Sequence, residues 1–168
     1  MDRPLTRVAV LGSTGSIGCQ TLDVIRAHPG RFQVTALSAW TNIRLLAQQV
    51  DEFQPRLVAC ADHESLAEML AAAPQPASLT EIACDPEVDI VVAGVVGRQG
   101  LEPVLRALEC GKTVALANKE AMVMGGPLLR AAAANGGGSI RPVDSEHSAI
   151  WQCLAGEDAS AVRRLVLT

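Results

Sequence analysis

Apolar residues in this chain fall in short runs that alternate with longer amphipathic stretches. Val8–Gly12 (VAVLG) is apolar throughout, and so is Asp89–Gly94 (DIVVAG) after its leading carboxylate. Such runs, bounded by turn signals, predict strands buried on both faces. Gln33–Ala39, Arg56–Cys60, Thr113–Ala117, Ser139–Val143 and Val162–Thr168 read as further strands. Between them, helical spacing predicts helices over Ile17–His28, Asn42–Phe53, Asp62–Ala73, Leu101–Cys110, an Ala-rich segment ending at Asn135, and Ser148–Leu154. Asn42 is a candidate N-cap and Gly111 closes the fifth strand's preceding helix. Pro74–Ser78 (PQPAS) reads as a loop, and Gly136–Gly138 as a turn.

Strands alternating with crossover helices give an α/β, Rossmann-like, doubly wound and mostly parallel sheet. Its 168 residues suit one core. The chain stops on a strand at Thr168 without a polar tail, which predicts the N-terminal part of a larger protein.

Charge and composition narrow the function. The net charge is −4 with no basic block, and aromatics are 2%, so neither a phosphate-tracking patch nor a stacking platform for nucleic acid is expected. No run nears the ~18 apolar residues of a membrane span. No signal or transit segment opens the chain, which predicts a cytoplasmic protein. Five scattered cysteines without a CxxC motif read as free thiols in a reducing compartment.

Three motifs carry candidate chemistry. GSTGSIG, Gly12–Gly18, joins the first strand to the first helix. Glycines there allow a tight turn and close backbone approach, and the helix N-terminus offers free N–H groups to a pyrophosphate. Its GxxGxxG spacing differs from GxGxxG, and a glycine-rich turn that binds nothing is the alternative. The second strand ends LSAWTNIR without the carboxylate that usually holds the ribose 2′-hydroxyl of NAD. That favours NADP, with Thr41, Asn42 and Arg44 as polar partners. Arg44 also suits a solvated helix, and Trp40 suits either an adenine face or packing.

In the second motif, Asn118, Lys119 and Glu120 stand where the fifth strand meets its helix. They suit ligand contact or a capped, charged first turn. In PVDSEHSAIW, Pro142–Trp151, Asp144 and Glu146 are two residues apart. In extended chain both would point the same way, and two such oxygens suit Mg²⁺ or Mn²⁺. A helix cap followed by a first-turn acid fits the same residues. His147 reads as a helix-start or packing residue rather than a ligand.

Taken in order, GSTGSIG, LANKEAMV and PVDSEHSAIWQCL resemble the 1-deoxy-D-xylulose 5-phosphate reductoisomerase family, across Val8–Thr168. The resemblance implies an NADPH-dependent oxidoreductase of non-mevalonate isoprenoid biosynthesis, making 2-C-methyl-D-erythritol 4-phosphate, a larger multidomain enzyme of which residues 1–138 would be the NADPH-binding domain and 139–168 the start of the catalytic, metal-binding domain. It implies NADPH contacts from Thr14, Gly15, Ser16, Ile17, Asn42, Asn118 and Glu120, substrate contacts from Lys119, Ser145 and Glu146, and a divalent metal (Mn²⁺, Mg²⁺ or Co²⁺) on Asp144 and Glu146. The implied reaction is a skeletal rearrangement assisted by the metal, followed by hydride transfer from NADPH. The family often has Gly and a basic residue where this chain has Trp40 and Thr41. Its lid, remaining phosphate ligands and third metal carboxylate would lie beyond Thr168, so the chain alone is expected to be inactive, and the whole protein to be a homodimer acting on a small sugar phosphate. The rival readings are another NADP-dependent Rossmann oxidoreductase, such as a homoserine or sugar dehydrogenase, and a non-catalytic nucleotide-sensing domain.

Overall fold

The computed structural model describes residues 4–72 and 74–166. Seven strands run in chain order: β1 Thr6–Leu11, β2 Phe32–Ser38, β3 Leu57–Ala59, β4 Gln75–Pro76, β5 Ile90–Ala93, β6 Thr113–Leu116 and β7 Ser139–Pro142. They form one sheet in the order β4-β3-β2-β1-β5-β6-β7. Every pairing is parallel, so the expected mostly parallel sheet is parallel throughout. Parallel neighbours need crossovers, which are supplied by α1 Ser16–Ala27, α2 Ile43–Phe53, α3 His63–Glu68, α4 Leu79–Cys84, α5 Leu101–Glu109 and α6 Lys119–Gly136. A last helix, α7 Ser145–Leu154, follows β7.

The apolar runs are explained by helices on both faces. Along β1, Val8 and Val10 join one cluster with Leu22 of α1 and Leu46 of α2. Their neighbours Ala9 and Leu11 join the opposite cluster, with Val104 and Leu108 of α5 and Leu129 of α6. The alternation repeats in β5, where Val91 and Ala93 face one cluster and Val92 the other. A strand with a period of two and apolar residues on both faces has no polar position to spare. Each fully buried Leu or Val contributes on the order of 1.5–3 kcal/mol.

The structure departs from the sequence reading in five places. The helix expected over Asp62–Ala73 is six residues long, His63–Glu68; only Leu66 is buried, and the chain approaches Pro74. Residue 73 lies outside the described residues. The PQPAS loop contains the edge strand β4, held on β3 through Leu57↔Gln75. Helix α4, absent from the sequence reading, starts from a capping box: Glu81 N–H donates to Ser78 Oγ, and Ser78 N–H donates to the Glu81 carboxylate. Helix α7 begins at Ser145, three residues before the expected Ser148. Residues 162–166 of the expected last strand have no regular structure, and 167–168 lie outside the described residues. Val162, Leu165 and Val166 are exposed, with no neighbouring strand to bury them.

Helix α6 is broken near its start. Gly125 leaves helical geometry at φ −130°, ψ 16°, and Pro127 follows two residues later. A Cβ on Gly125 would stand 2.7 Å from Leu101 Cδ1, so the kink lets α6 close on α5. The five cysteines are free thiols.

Candidate functional site

All parallel strands deliver their carboxyl ends to one edge, and the chain reverses its strand order between β1 and β5. Crevices at such switch points are where open α/β sheets bind ligands. GSTGSIG leaves β1 there. Gly12 has φ +83°, and a Cβ on it would stand 3.0 Å from the Gly94 carbonyl carbon and oxygen after β5. A Cβ on Gly18 would stand 2.5 Å from Ser13 Cα, so the first turn of α1 packs directly on the loop. Neither glycine admits a side chain, and the cradle they form brings bare backbone to the crevice.

Hydrogen bonds with Ser38 and Gln49 fasten this loop from behind. Gly12 N–H donates to Ser38 Oγ at 2.9 Å. Ser13 N–H donates to the Ser38 carbonyl at 2.7 Å. Ser13 Oγ–H donates to Gln49 Oε1 at 2.7 Å. Ser38, Ser13 and Gln49 are all buried. Sequence reasoning missed Gln49 and Ser38, because their partners lie 36 and 26 residues away in the chain.

Thr14 and Gly15 face a cleft of about 840 Å³ that runs beyond β1–β5 and is also lined by Trp40, His63 and Val96. Ser16 and Ile17 open α1 behind them. Trp40 is 68% exposed and stands on the cleft wall. His63 Nδ1 lies 3.4 Å from Cys60 Sγ, and burial pushes the Cys60 thiol pKa up. Asn42 caps α2 as expected, its Oδ1 accepting from Leu45 N–H at 3.3 Å. Arg44 is exposed on that helix.

The second half of the edge lies past β6 and β7. Their register pairs Leu116 with Pro142, so Asn118–Glu120 and Asp144–Glu146 leave adjacent strands at the same level. Asn118 is buried and its side chain is engaged at both ends. Nδ2 donates to the carbonyls of Val95 and Gly97 at 2.6 and 2.9 Å, and Oδ1 caps α6 by accepting from Ala121 N–H at 3.0 Å. Both Nδ2 hydrogens are thereby used within the chain, and Oδ1 keeps one lone pair. Lys119 and Glu120 are exposed at the first turn of α6. Neither lines the 840 Å³ cleft, and nor do Asp144, Ser145 and Glu146.

The extended-chain argument for Asp144 and Glu146 fails, because Ser145 already begins α7 and Asp144 occupies its N-cap position. Asp144 makes no capping hydrogen bond. It takes a hydrogen bond from His147 Nδ1 at 2.7 Å instead, and Glu146 lies close enough to interact with it. The His147 contact, then Glu146 and the Lys119 charge, hold the Asp144 carboxyl below the usual carboxylate range. Glu146 Oε2 also accepts from Ser145 Oγ–H at 2.8 Å. Carboxylate oxygens are hard donors and suit Mg²⁺ or Mn²⁺. Among the described residues no group of three or more His, Cys, Asp or Glu is arranged to hold a metal.

Residues 8–126 match the family model for 1-deoxy-D-xylulose 5-phosphate reductoisomerase, and 140–168 match the model for that family's C-terminal domain. The reductoisomerase of Geobacillus sp. (strain WCH70) is 49% identical over 168 residues, covering 96% of this chain and 44% of that protein. The crystal structure of a DOX-P reductoisomerase in complex with magnesium superposes with a TM-score of 0.87 at 38% identity, covering 94% of this chain and 41% of its own. The Zymomonas mobilis reductoisomerase in complex with NADPH gives 0.84 at 40% identity, over 89% of this chain and 41% of its own. The chain thus spans less than half the length of the relatives it matches. On the family match over 8–126, the chain belongs to the 1-deoxy-D-xylulose 5-phosphate reductoisomerase family.

Proposed function

We propose that this chain supplies the NADPH site and two metal-binding carboxylates of an enzyme that converts 1-deoxy-D-xylulose 5-phosphate to 2-C-methyl-D-erythritol 4-phosphate. The observation that carries it is the arrangement along one sheet edge. A glycine cradle opens on a cleft at the switch point, and two strands further on Lys119 opens α6 beside the start of α7, where its charge acts on Asp144 and Glu146 follows two residues later. A dehydrogenase that only moves a hydride has no need of the second group.

Each residue has a distinct task. Thr14 and Ser16 bring backbone N–H groups and the α1 N-terminus to the pyrophosphate, while Gly15, whose own N–H donates to the Gly12 carbonyl at 3.1 Å, lets the ligand approach bare backbone. Trp40 offers its exposed face to the adenine. Asn42 and Arg44 stand nearest in sequence for the 2′-phosphate, with Arg44 in place of the family's usual basic residue. Ile17 packs behind the loop. Asn118 acts by position: it ties the Val95–Gly97 loop to α6 and so sets where Lys119 and Glu120 stand. Glu120 faces the nicotinamide ribose, and Lys119 and Ser145 hold substrate oxygens. Asp144 and Glu146 would hold the divalent cation, which when bound supplies Lewis-acid polarisation of the substrate's ketone and neighbouring hydroxyl. The acidic pair and Lys119 thus keep opposite charges at the reacting end before substrate arrives.

The family resemblance further supports a catalytic part beginning near Ser139, a homodimeric whole protein and a cytoplasmic location. No helix of the described residues is long and apolar enough to cross a membrane. The test is a titration of the 168-residue chain with NADPH, NADH, Mn²⁺ and deoxyxylulose phosphate. NADPH should bind, NADH more weakly, and NADPH should not be consumed when all components are present. Equal affinity for the two dinucleotides would remove the NADPH assignment. Measured turnover would show that this length is sufficient for catalysis.

A further inference from the structure

Gln49 has no part in the chemistry proposed so far, yet it is 5% exposed and its amide is committed at both ends to one residue of the glycine loop. Oε1 accepts from Ser13 Oγ–H at 2.7 Å, and Nε2 donates to the Ser13 carbonyl at 3.0 Å. The carbonyl can only accept, so the amide orientation is fixed: a flipped Gln49 would set oxygen against oxygen. Cys19 Sγ–H adds a weaker contact to the same carbonyl at 3.6 Å.

The consequence lies in the next peptide unit. The Ser13 carbonyl and the Thr14 N–H belong to one planar trans peptide, so they point in opposite directions. A carbonyl held inward turns that N–H outward. Thr14 lines the cleft, and among the described residues its N–H has no hydrogen-bond partner outside helix and strand ladders. We infer that Gln49 is a positioning residue for the dinucleotide: by holding the Ser13 carbonyl in the core, it aims the Thr14 N–H at the pyrophosphate. The inference rests on the reading of Gly12–Gly18 as a dinucleotide loop. It adds to that reading a residue 36 positions away that sets the loop's anion-binding geometry before ligand arrives. A preset donor spares the ligand the cost of ordering it.

Three variants of the 168-residue chain test this: Gln49→Met, Gln49→Glu and Ser13→Ala. Met keeps the volume and removes both hydrogen bonds. Glu keeps an acceptor for Ser13 Oγ but loses the donor to the carbonyl. Ala removes the hydroxyl contact and leaves the carbonyl contact in place. Affinities are measured for NADPH and for adenosine 2′-monophosphate, which carries the adenine and 2′-phosphate but no pyrophosphate; melting by circular dichroism reports the fold. Both Gln49 variants should weaken NADPH by about tenfold or more, the worth of a hydrogen bond to a charged group. Binding of adenosine 2′-monophosphate should stay unchanged, and Ser13→Ala should keep most of the NADPH affinity. Loss of both ligands in parallel, or no selective loss in either Gln49 variant, would make Gln49 a packing residue only and overturn the inference. If the unsubstituted chain fails to bind NADPH, the dinucleotide reading itself falls.

Discussion

The Asn118 side chain bridges Val95 and Gly97 to the first turn of α6, donating at 2.6 and 2.9 Å on one side and accepting from Ala121 N–H at 3.0 Å on the other. Asn118→Ala should leave two carbonyls short of donors and remove a helix cap. That destabilises the chain by about 2–4 kcal/mol, measured by urea unfolding. Asn118→Asp keeps the cap and sets a carboxylate against two carbonyl oxygens, so it should cost at least as much. A loss near zero in Asn118→Asp would show that the loop bridge contributes nothing.

Gly18 offers a sharper test of the loop. Its absent side chain is required by backbone, not by a flexible neighbour. Gly18→Ala should push α1 away from β1, at a cost of about 1–3 kcal/mol. It should abolish NADPH binding in the folded fraction, read by fluorescence titration. Gly30→Ala is the control: its φ is +80° but nothing lies within 4 Å, so it should lose a little stability and no NADPH affinity.

At the sheet's opposite edge, Arg7 grips Asp89 with NH2 at 2.8 Å and Nε at 3.1 Å, while the Arg7 backbone N–H donates to the same carboxylate at 2.8 Å. The Arg7 side chain leads the causes that hold the Asp89 carboxyl below the usual carboxylate range. A carboxylate lowered in this way stabilises the fold fully above its unfolded pKa, about 3.9. That contribution is lost as pH falls through the lower, folded value. Asp89→Asn should therefore flatten the dependence of unfolding free energy on pH below about 4 and leave the slope near neutrality unchanged. An identical acid slope in the variant and the parent would remove the pair from acid stability.

Asp144→Asn should weaken Mn²⁺ binding to the chain, followed by electron paramagnetic resonance, and leave NADPH affinity unchanged. His147→Ala should weaken Mn²⁺ less, since it removes a hydrogen bond to Asp144 rather than a carboxylate. Equal Mn²⁺ affinity in Asp144→Asn and the parent would remove Asp144 from the metal site.

Much of the sheet was legible because Val8–Leu11 of β1 and all of β5 are apolar, as a strand covered on both faces requires. The cap at Asn42 and the turn after β1 follow from residue type in the same way. Helix α4 was missed although Ser78-Leu79-Thr80-Glu81 spells a capping box; the prolines before it drew the reading toward a loop. The last strand was read from apolar residues alone, yet Leu165 and Val166 find no neighbour among the described residues. At the site, local sequence marks the residues that touch a ligand and says little about what holds them. Gln49 and Ser38 meet Ser13 and Gly12 only after the sheet has formed. For Asp144 and Glu146, strand alternation was the wrong geometry, because Ser145 already begins a helix.

The break at Gly125 has a mechanical consequence. A continuous helix carries torque from one end to the other through its hydrogen-bond ladder. Pro127 has no N–H to offer the Val123 carbonyl, and Gly125 has left helical angles, so the ladder lapses there. The turn that bears Lys119 and Glu120 is thereby uncoupled from the shaft packed on α5. Its orientation is governed from its own first residue, through Asn118, and the long helix behind it serves as an anchor rather than a lever.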